Sequence, residues 1–228
     1  MKKLLIAAAL LCLTACTTTA VKTAAPGSIS TPQANAKVLL VEPDVQLSVL
    51  TAAGLQEARQ DWSKQGHDNL SASVKAALQT RAHKFDVLDP EASRDGRAGQ
   101  VLRLHDAVGQ SIMAFSYGLK LPNKRGAFDW TLGDGAEEIG RAHQADYALF
   151  ITGRGSYSSA GRKAMFVAFA ALGVGIPLGQ QTVFASLVDL HTGQVVWFNV
   201  ALAGPAADMR TGEGAASLAE SLLKGAPL

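Results

Sequence analysis

Ala145-Asp-Tyr-Ala-Leu-Phe-Ile-Thr152, Gln181-Thr-Val-Phe-Ala-Ser-Leu-Val-Asp189 and Gln194-Val-Val-Trp-Phe-Asn-Val-Ala-Leu202 decide the fold. Each is too short and too rich in β-branched and aromatic residues for a helix, and the last two are joined by a turn at Leu190-His-Thr-Gly193. In the second run Val183, Ala185 and Leu187 point one way and Phe184 and Val188 the other. Strands that are apolar on both faces are covered on both faces, so this pair belongs in the middle of a sheet between layers of helix.

Outward from that centre the periodicity changes several times. Lys37-Val-Leu-Leu-Val-Glu42 reads as a short buried strand, broken at Pro43-Asp44, with Val45 to Leu50 as a second or bulged segment. From Gly54, Leu55, Ala58, Trp62, Leu70, Val74, Ala77 and Leu78 recur at helical spacing to about His83. Phe85 to Leu88 is a short strand, and a second helix from about Arg97 carries Val101, Leu104, Val108, Ile112, Phe115 and Leu119 on one stripe. Asp134 to His143 gives a short helix, and Ala215, Leu218, Ala219, Leu222 and Leu223 mark a last one. The expected fold is a single α/β domain with a mixed β-sheet of about five strands covered by helices.

The amino terminus sets the compartment. Lys2 and Lys3, the apolar run Leu4 to Leu13 and then Leu13-Thr14-Ala15-Cys16 have the order of a processed signal peptide. The run is too short to span, since ~20 residues are needed to cross ~30 Å of hydrocarbon. Leu-Thr-Ala-Cys resembles a bacterial lipobox, in which the Cys16 thiol takes a diacylglyceryl group and its amine a further acyl chain such as palmitate; an ordinary secretory signal with a chance Cys is the alternative. By resemblance to known sorting rules, Thr17 in place of Asp implies the periplasmic face of the outer membrane. Residues 1–15 are thus read as signal, 16–36 as the lipidated Cys and a flexible tether poor in large apolar groups, with an ordered amino-terminal arm as the alternative, and 37–228 as the domain.

Loss of Lys2 and Lys3 leaves 19 basic against 19 acidic residues, so no global field draws in nucleic acid. With Cys12 removed and Cys16 acylated, no internal disulfide forms. His67, His83, His105, His143 and His191 are scattered without metal-ligand spacing. No Ser stands in a Gly-x-Ser-x-Gly elbow. Gly153-Arg-Gly-Ser-Tyr-Ser-Ser-Ala-Gly-Arg-Lys163 reads as an Arg-rich turn after the strand, with five residues between Gly155 and Gly161 where a phosphate loop needs four. Neither nucleotide, metal nor any cofactor beyond the lipid on Cys16 is expected, and the chain is read as a non-enzyme.

Two stretches remain as contact surfaces. One is the loop from Lys120 to Gly133, with Lys124, Phe128 and Trp130; its aromatics either plug the end of the core or meet a partner. The other is the insert 160–180, in which Ala164 to Gly179 has no charged or hydrogen-bonding side chain. Arg154, Arg162 and Lys163 precede it, and Phe166 and Phe169 lie within it. Arg154 and Arg162 either bind an anion or pair with carboxylates such as Asp189 or Glu138. A buried connecting helix is the first expectation for the insert; a helix docked on a membrane and a helix packed on a neighbouring subunit are the alternatives.

Gly54-Leu55 to Asp61-Trp62-Ser63, Leu121-Pro122-Asn123-Lys124, Phe128-Asp129-Trp130-Thr131-Leu132-Gly133, Ala145 to Leu149, Ser186 to Leu190, Thr192-Gly193 and Val196-Trp197-Phe198-Asn199 resemble a group of uncharacterised proteobacterial lipoproteins. More remotely, a strand ending in Pro, a long helix, Ala-Asp-Tyr-Ala-Leu and a strand pair with Thr-Gly before Val-Val-Trp are similar to the curli-assembly lipoprotein CsgG and the amino-terminal domain of TolB. These resemblances imply a membrane-anchored binding or envelope-assembly module, with copies of itself or another envelope protein as partners. An oligomeric export component of CsgG type is the alternative; a cell-wall hydrolase is a third reading. The insert departs from the CsgG pattern, because it does not alternate and reads as helical.

Overall fold

The computed structural model describes residues 17–24, 36–81, 84–119, 121–122, 127–204 and 207–228. Cys16, the signal segment before it and Lys124 lie outside the described residues. The strands are β1 (Thr18–Thr23), β2 (Val38–Val41), β3 (Asp44–Leu50), β4 (Gln56–Ala58), β5 (Phe85–Leu88), β6 (Tyr147–Ser158), β7 (Gln181–Asp189) and β8 (Val195–Ala203). The helices are α1 (Gln60–Thr80), α2 (Gly96–Ser116), α3 (Ala136–His143), α4 (Ala160–Ala171) and α5 (Gly212–Leu222). The chain is one α/β domain, as its patterning indicates, and among the described residues the sheet has eight strands rather than about five.

The sheet runs in the order β1-β8-β7-β6-β2-β5, with β3 paired to the far half of β6 and β4 to β3. β2 lies parallel to β5 and β6, and β3 is parallel to β6. The β6-β7-β8-β1 half is antiparallel. Helices cover both faces. Val38, Leu40, Leu149, Val183, Leu187 and Trp197 pack under Leu70, Val74 and Leu78 of α1 and Leu218 and Leu222 of α5. Leu39, Val41, Ala148, Phe184, Val188 and Phe198 pack against Val101 and Ile112 of α2 and Ile139 of α3. This two-sided burial is what the apolar alternation of β7 and β8 requires.

Four expectations are corrected. The segment read as a tether from 16 to 36 contains strand β1, whose six residues pair with β8 from Thr18↔Leu202 to Thr23↔Trp197. Its side chains are largely exposed, so pairing of the backbone rather than burial holds it. The helical reading from Leu55 fails at its start: Leu55 is exposed, β3 and β4 form a hairpin there, and α1 begins at Gln60. On α2 the buried line runs through Gly99, Val101, His105, Gly109 and Ile112, while Leu104 is exposed. Gly109 is needed on that line because a Cβ there would sit 2.8 Å from the Phe184 ring. The Arg-rich turn from Gly153 is not a turn; β6 runs unbroken to Ser158.

Candidate functional site

β6 outgrows the rest of the sheet. Its first half pairs with β2, and beyond the break at Pro43 its second half pairs with β3 as far as Leu50↔Ser158. Gly153 and Gly155 belong in this strand for a packing reason. Cβ atoms there would press on Val45 at 3.4 Å and on Leu47 at 3.0 Å. Arg154 on the opposite face is tied to Asp44 by its guanidinium, which also donates to the Asp44 carbonyl. Arg154 thus pairs with a carboxylate, though with Asp44 rather than with Asp189 or Glu138.

At the end of β6 the Ser159 side chain caps α4 by accepting from the Arg162 amide at 3.1 Å. α4 packs on the far end of β6, and none of its residues is buried. The insert is therefore not a buried connecting helix. Val167 is 67% exposed and Leu172 is 77% exposed, with Met165, Val174 and Leu178 also in the open. Phe166 and Phe169 are half-buried on the inner side, and Lys163 is exposed. The Arg162 guanidinium donates from Nε and Nη2 to the Pro177 carbonyl at 3.1 and 2.9 Å, clamping the returning segment to the helix. A helix apolar on all sides is stable only with a cover, and here the chain itself supplies it on the inner side alone.

Phe128 and Trp130 do not join this surface. Both are half-buried against the core on the α2 and α3 face, and Trp130 Nε1 donates to Ser116 Oγ at 3.1 Å. Leu132 is buried outright, and its amide donates to the Gly193 carbonyl at 2.7 Å. Gly193 has φ +70° and a Cβ there would meet the Gly133 carbonyl oxygen at 2.2 Å, so the β7–β8 turn closes on this loop only with glycine. The aromatics thus plug the core at the end where Tyr147 pairs with Asp189. Most of the length of β6 separates them from α4, roughly 35 Å at ~3.3 Å per residue.

Two clusters escaped the sequence reading. At the α4 end, Trp62 lies between the Arg59 guanidinium at 4.2 Å and the Arg210 guanidinium at 4.6 Å, with Tyr157 edge-on at 5.8 Å. Arg210 also stacks on Tyr157 at 3.5 Å and is held by Asp208 at 2.7 Å, while Arg59 pairs with Asp61 at 2.6 Å. This stack fastens the start of α1 to β6 and to the loop before α5. Its guanidiniums are already paired, so it reads as a rivet.

The second is a cleft of about 1150 Å³ at the carboxyl ends of β2 and β5, between the starts of α1 and α2. Such ends, where the chain switches direction across a sheet, often hold ligands. Here Glu42 on its wall accepts from Lys75 Nζ and Ser71 Oγ, each at 2.6 Å, and His67 Nδ1 meets the Pro43 carbonyl at 2.7 Å. Burial raises the Glu42 pKa, but those two hydrogen bonds outweigh it and hold the carboxyl below its ordinary value. His105, stacked on Phe150 at 3.8 Å, meets Ser186 Oγ at 2.6 Å, and burial pushes its pKa down to about 3. Neutral and bonded, it is a core histidine. Among the described residues no group of His, Cys, Asp and Glu is disposed to hold a metal ion.

No protein-family model matches the chain, and no curated protein matches it. Among solved structures it is similar to the PelC dodecamer from Paraburkholderia phytofirmans, at 14% identity and a TM-score of 0.41 over 93% of this chain and 98% of that one. It is similar also to the lipoprotein GNA1162 from Neisseria meningitidis, at 13% identity and a TM-score of 0.32 over 75% and 84%. The LpoB C-terminal domain from Salmonella enterica aligns at 14% identity and a TM-score of 0.26 over 73% and 83%. Likenesses at these scores assign no role.

Proposed function

We propose that this chain is a lipid-anchored envelope protein that works by contact rather than by chemistry, a binding or assembly module held at the periplasmic face of the outer membrane through acylated Cys16. The observation that carries the contact role is α4, a helix apolar on its outer side that the domain leaves uncovered. The lipobox-like Leu-Thr-Ala-Cys16 carries the anchoring. The test is labelling with radioactive palmitate together with recovery of bound envelope components, comparing the natural chain with Cys16→Ala and with Val167→Asp. Anchoring requires label on the natural chain and none on Cys16→Ala. Contact through α4 requires that Val167→Asp keep the label and lose what is recovered with it.

An oligomeric export component of curli type is a second reading supported by the same helix, because a neighbouring copy would cover it. Native mass after gentle detergent extraction separates the two: a large symmetric particle favours export, and a monomer or small complex favours the tethered module.

A further inference from the structure

Register across the sheet places the chain's exit toward Cys16 on the same side as α4. Thr18 pairs with Leu202, Leu202 with Thr182 and Thr182 with Arg154. These four residues form one row, with Thr18 about 14 Å from Arg154 at ~4.8 Å per strand. β1 runs away from the α4 end, so its first residue, Thr18, lies toward that end. Cys16 is two residues before Thr18 and lies within about 7 Å of it at full extension. β6 continues four residues beyond the row before α4 begins, so the start of α4 lies farther in that direction than Thr18.

A leaflet entered by acyl chains on Cys16 is therefore held close to the domain, and α4, uncovered on its outer side, lies at the end of the sheet that faces it. Its chemistry matches. From Tyr147 to Val188 there is no acidic residue, and the three basic ones, Arg154, Arg162 and Lys163, lie at the base of the helix or before it. Arg154 is paired with Asp44 and Arg162 with the Pro177 carbonyl, which leaves the exposed Lys163 as the basic group to be drawn to an anionic surface. Twelve helical residues measure about 18 Å, too short to span ~30 Å of hydrocarbon but suited to lying in the interface. Among the described residues no helix is long and apolar enough to cross a membrane.

We infer that α4 and the clamped segment after it dock into the lipid leaflet that holds Cys16, giving the domain a second, non-covalent membrane contact and a fixed orientation. The inference rests on the proposed anchoring. It is tested on the full acylated chain in phosphatidylethanolamine–phosphatidylglycerol vesicles, with nitroxides attached at Val167→Cys, at Ala171→Cys and, as a reference at the opposite end of the sheet, at Thr192→Cys. The chain without an introduced cysteine takes no label if Cys16 is acylated; labelling there would overturn the anchoring itself. With anchoring intact, the expected result is a ratio of oxygen to nickel-complex collisions several-fold higher at 167 and 171 than at 192. Equal ratios would place the helix in water, and low access to both reagents with dipolar broadening between copies would make a second copy the occupant; either overturns lipid docking.

Discussion

Thr18 faces Leu202 across an antiparallel ladder, and that pairing puts the start of β1 at the end of the sheet from which α4 projects. Residues Thr18–Thr23 are therefore part of the sheet. All six pair with β8, and α4, none of whose residues is buried, lies on the same side as Thr18.

Because Val167 points away from the domain, Val167→Asp is expected to alter the unfolding free energy by about 0.5 kcal/mol or less in urea denaturation. The same change should weaken association with the envelope. A loss of several kcal/mol would mean that α4 is packed by the protein itself.

Gly193→Ala should behave in the opposite way. The position has φ +70° and its added Cβ would run into the backbone of Gly133, so a destabilisation of about 2 kcal/mol or more is expected. Denaturation midpoints equal to those of the natural chain would show that the β7–β8 turn does not close on the Phe128 to Gly133 loop.

Arg162→Ala removes both hydrogen bonds to the Pro177 carbonyl. Amide exchange across residues 173–179 should accelerate, with global stability unchanged to within about 0.5 kcal/mol because the clamp is exposed. Unchanged exchange would show that the segment is ordered without it.

Acid should destabilise the protein in two windows. His105 has a folded pKa of about 3, below its ordinary 6.5, so between those values the unfolded chain binds the extra proton. Stability from its neutral burial is complete above about pH 6.5 and declines toward pH 3, with a limiting slope of about 1.4 kcal/mol per pH unit. Glu42, whose pKa is lowered, adds stability that is present above its ordinary 4.5 and is lost as pH falls through the folded value. His105→Phe should retain stacking on Phe150 and flatten the slope between pH 6.5 and 4.5. It should also cost roughly 1–3 kcal/mol at neutral pH, because Ser186 loses its partner. An unchanged slope would assign the acid sensitivity to other groups.

The centre of the fold was legible in the sequence because Val183, Phe184, Leu187 and Val188 record burial on two faces directly. β1 was not, since Thr18 to Thr23 bury little and are held by backbone pairing that leaves no side-chain pattern. The far half of β6 was hidden by Gly153 and Gly155, which signal a turn but serve close contact with Val45 and Leu47. The insert reads first as a buried connecting helix and is not one, because its apolarity records a need for cover and says nothing of who provides it. Trp62 and Arg210 are 148 positions apart, and only the fold shows that they meet.

In the envelope, α4 is expected to be covered. The most direct measurement is the reaction of Val167→Cys with a membrane-impermeant maleimide in spheroplasts bearing intact outer-membrane fragments, compared with the same protein after detergent extraction. Slow labelling in the envelope and fast labelling once extracted are expected, with Thr192→Cys fast in both. Fast labelling of Val167→Cys in the intact envelope would contradict it, because the helix would then stand uncovered in the place where it works.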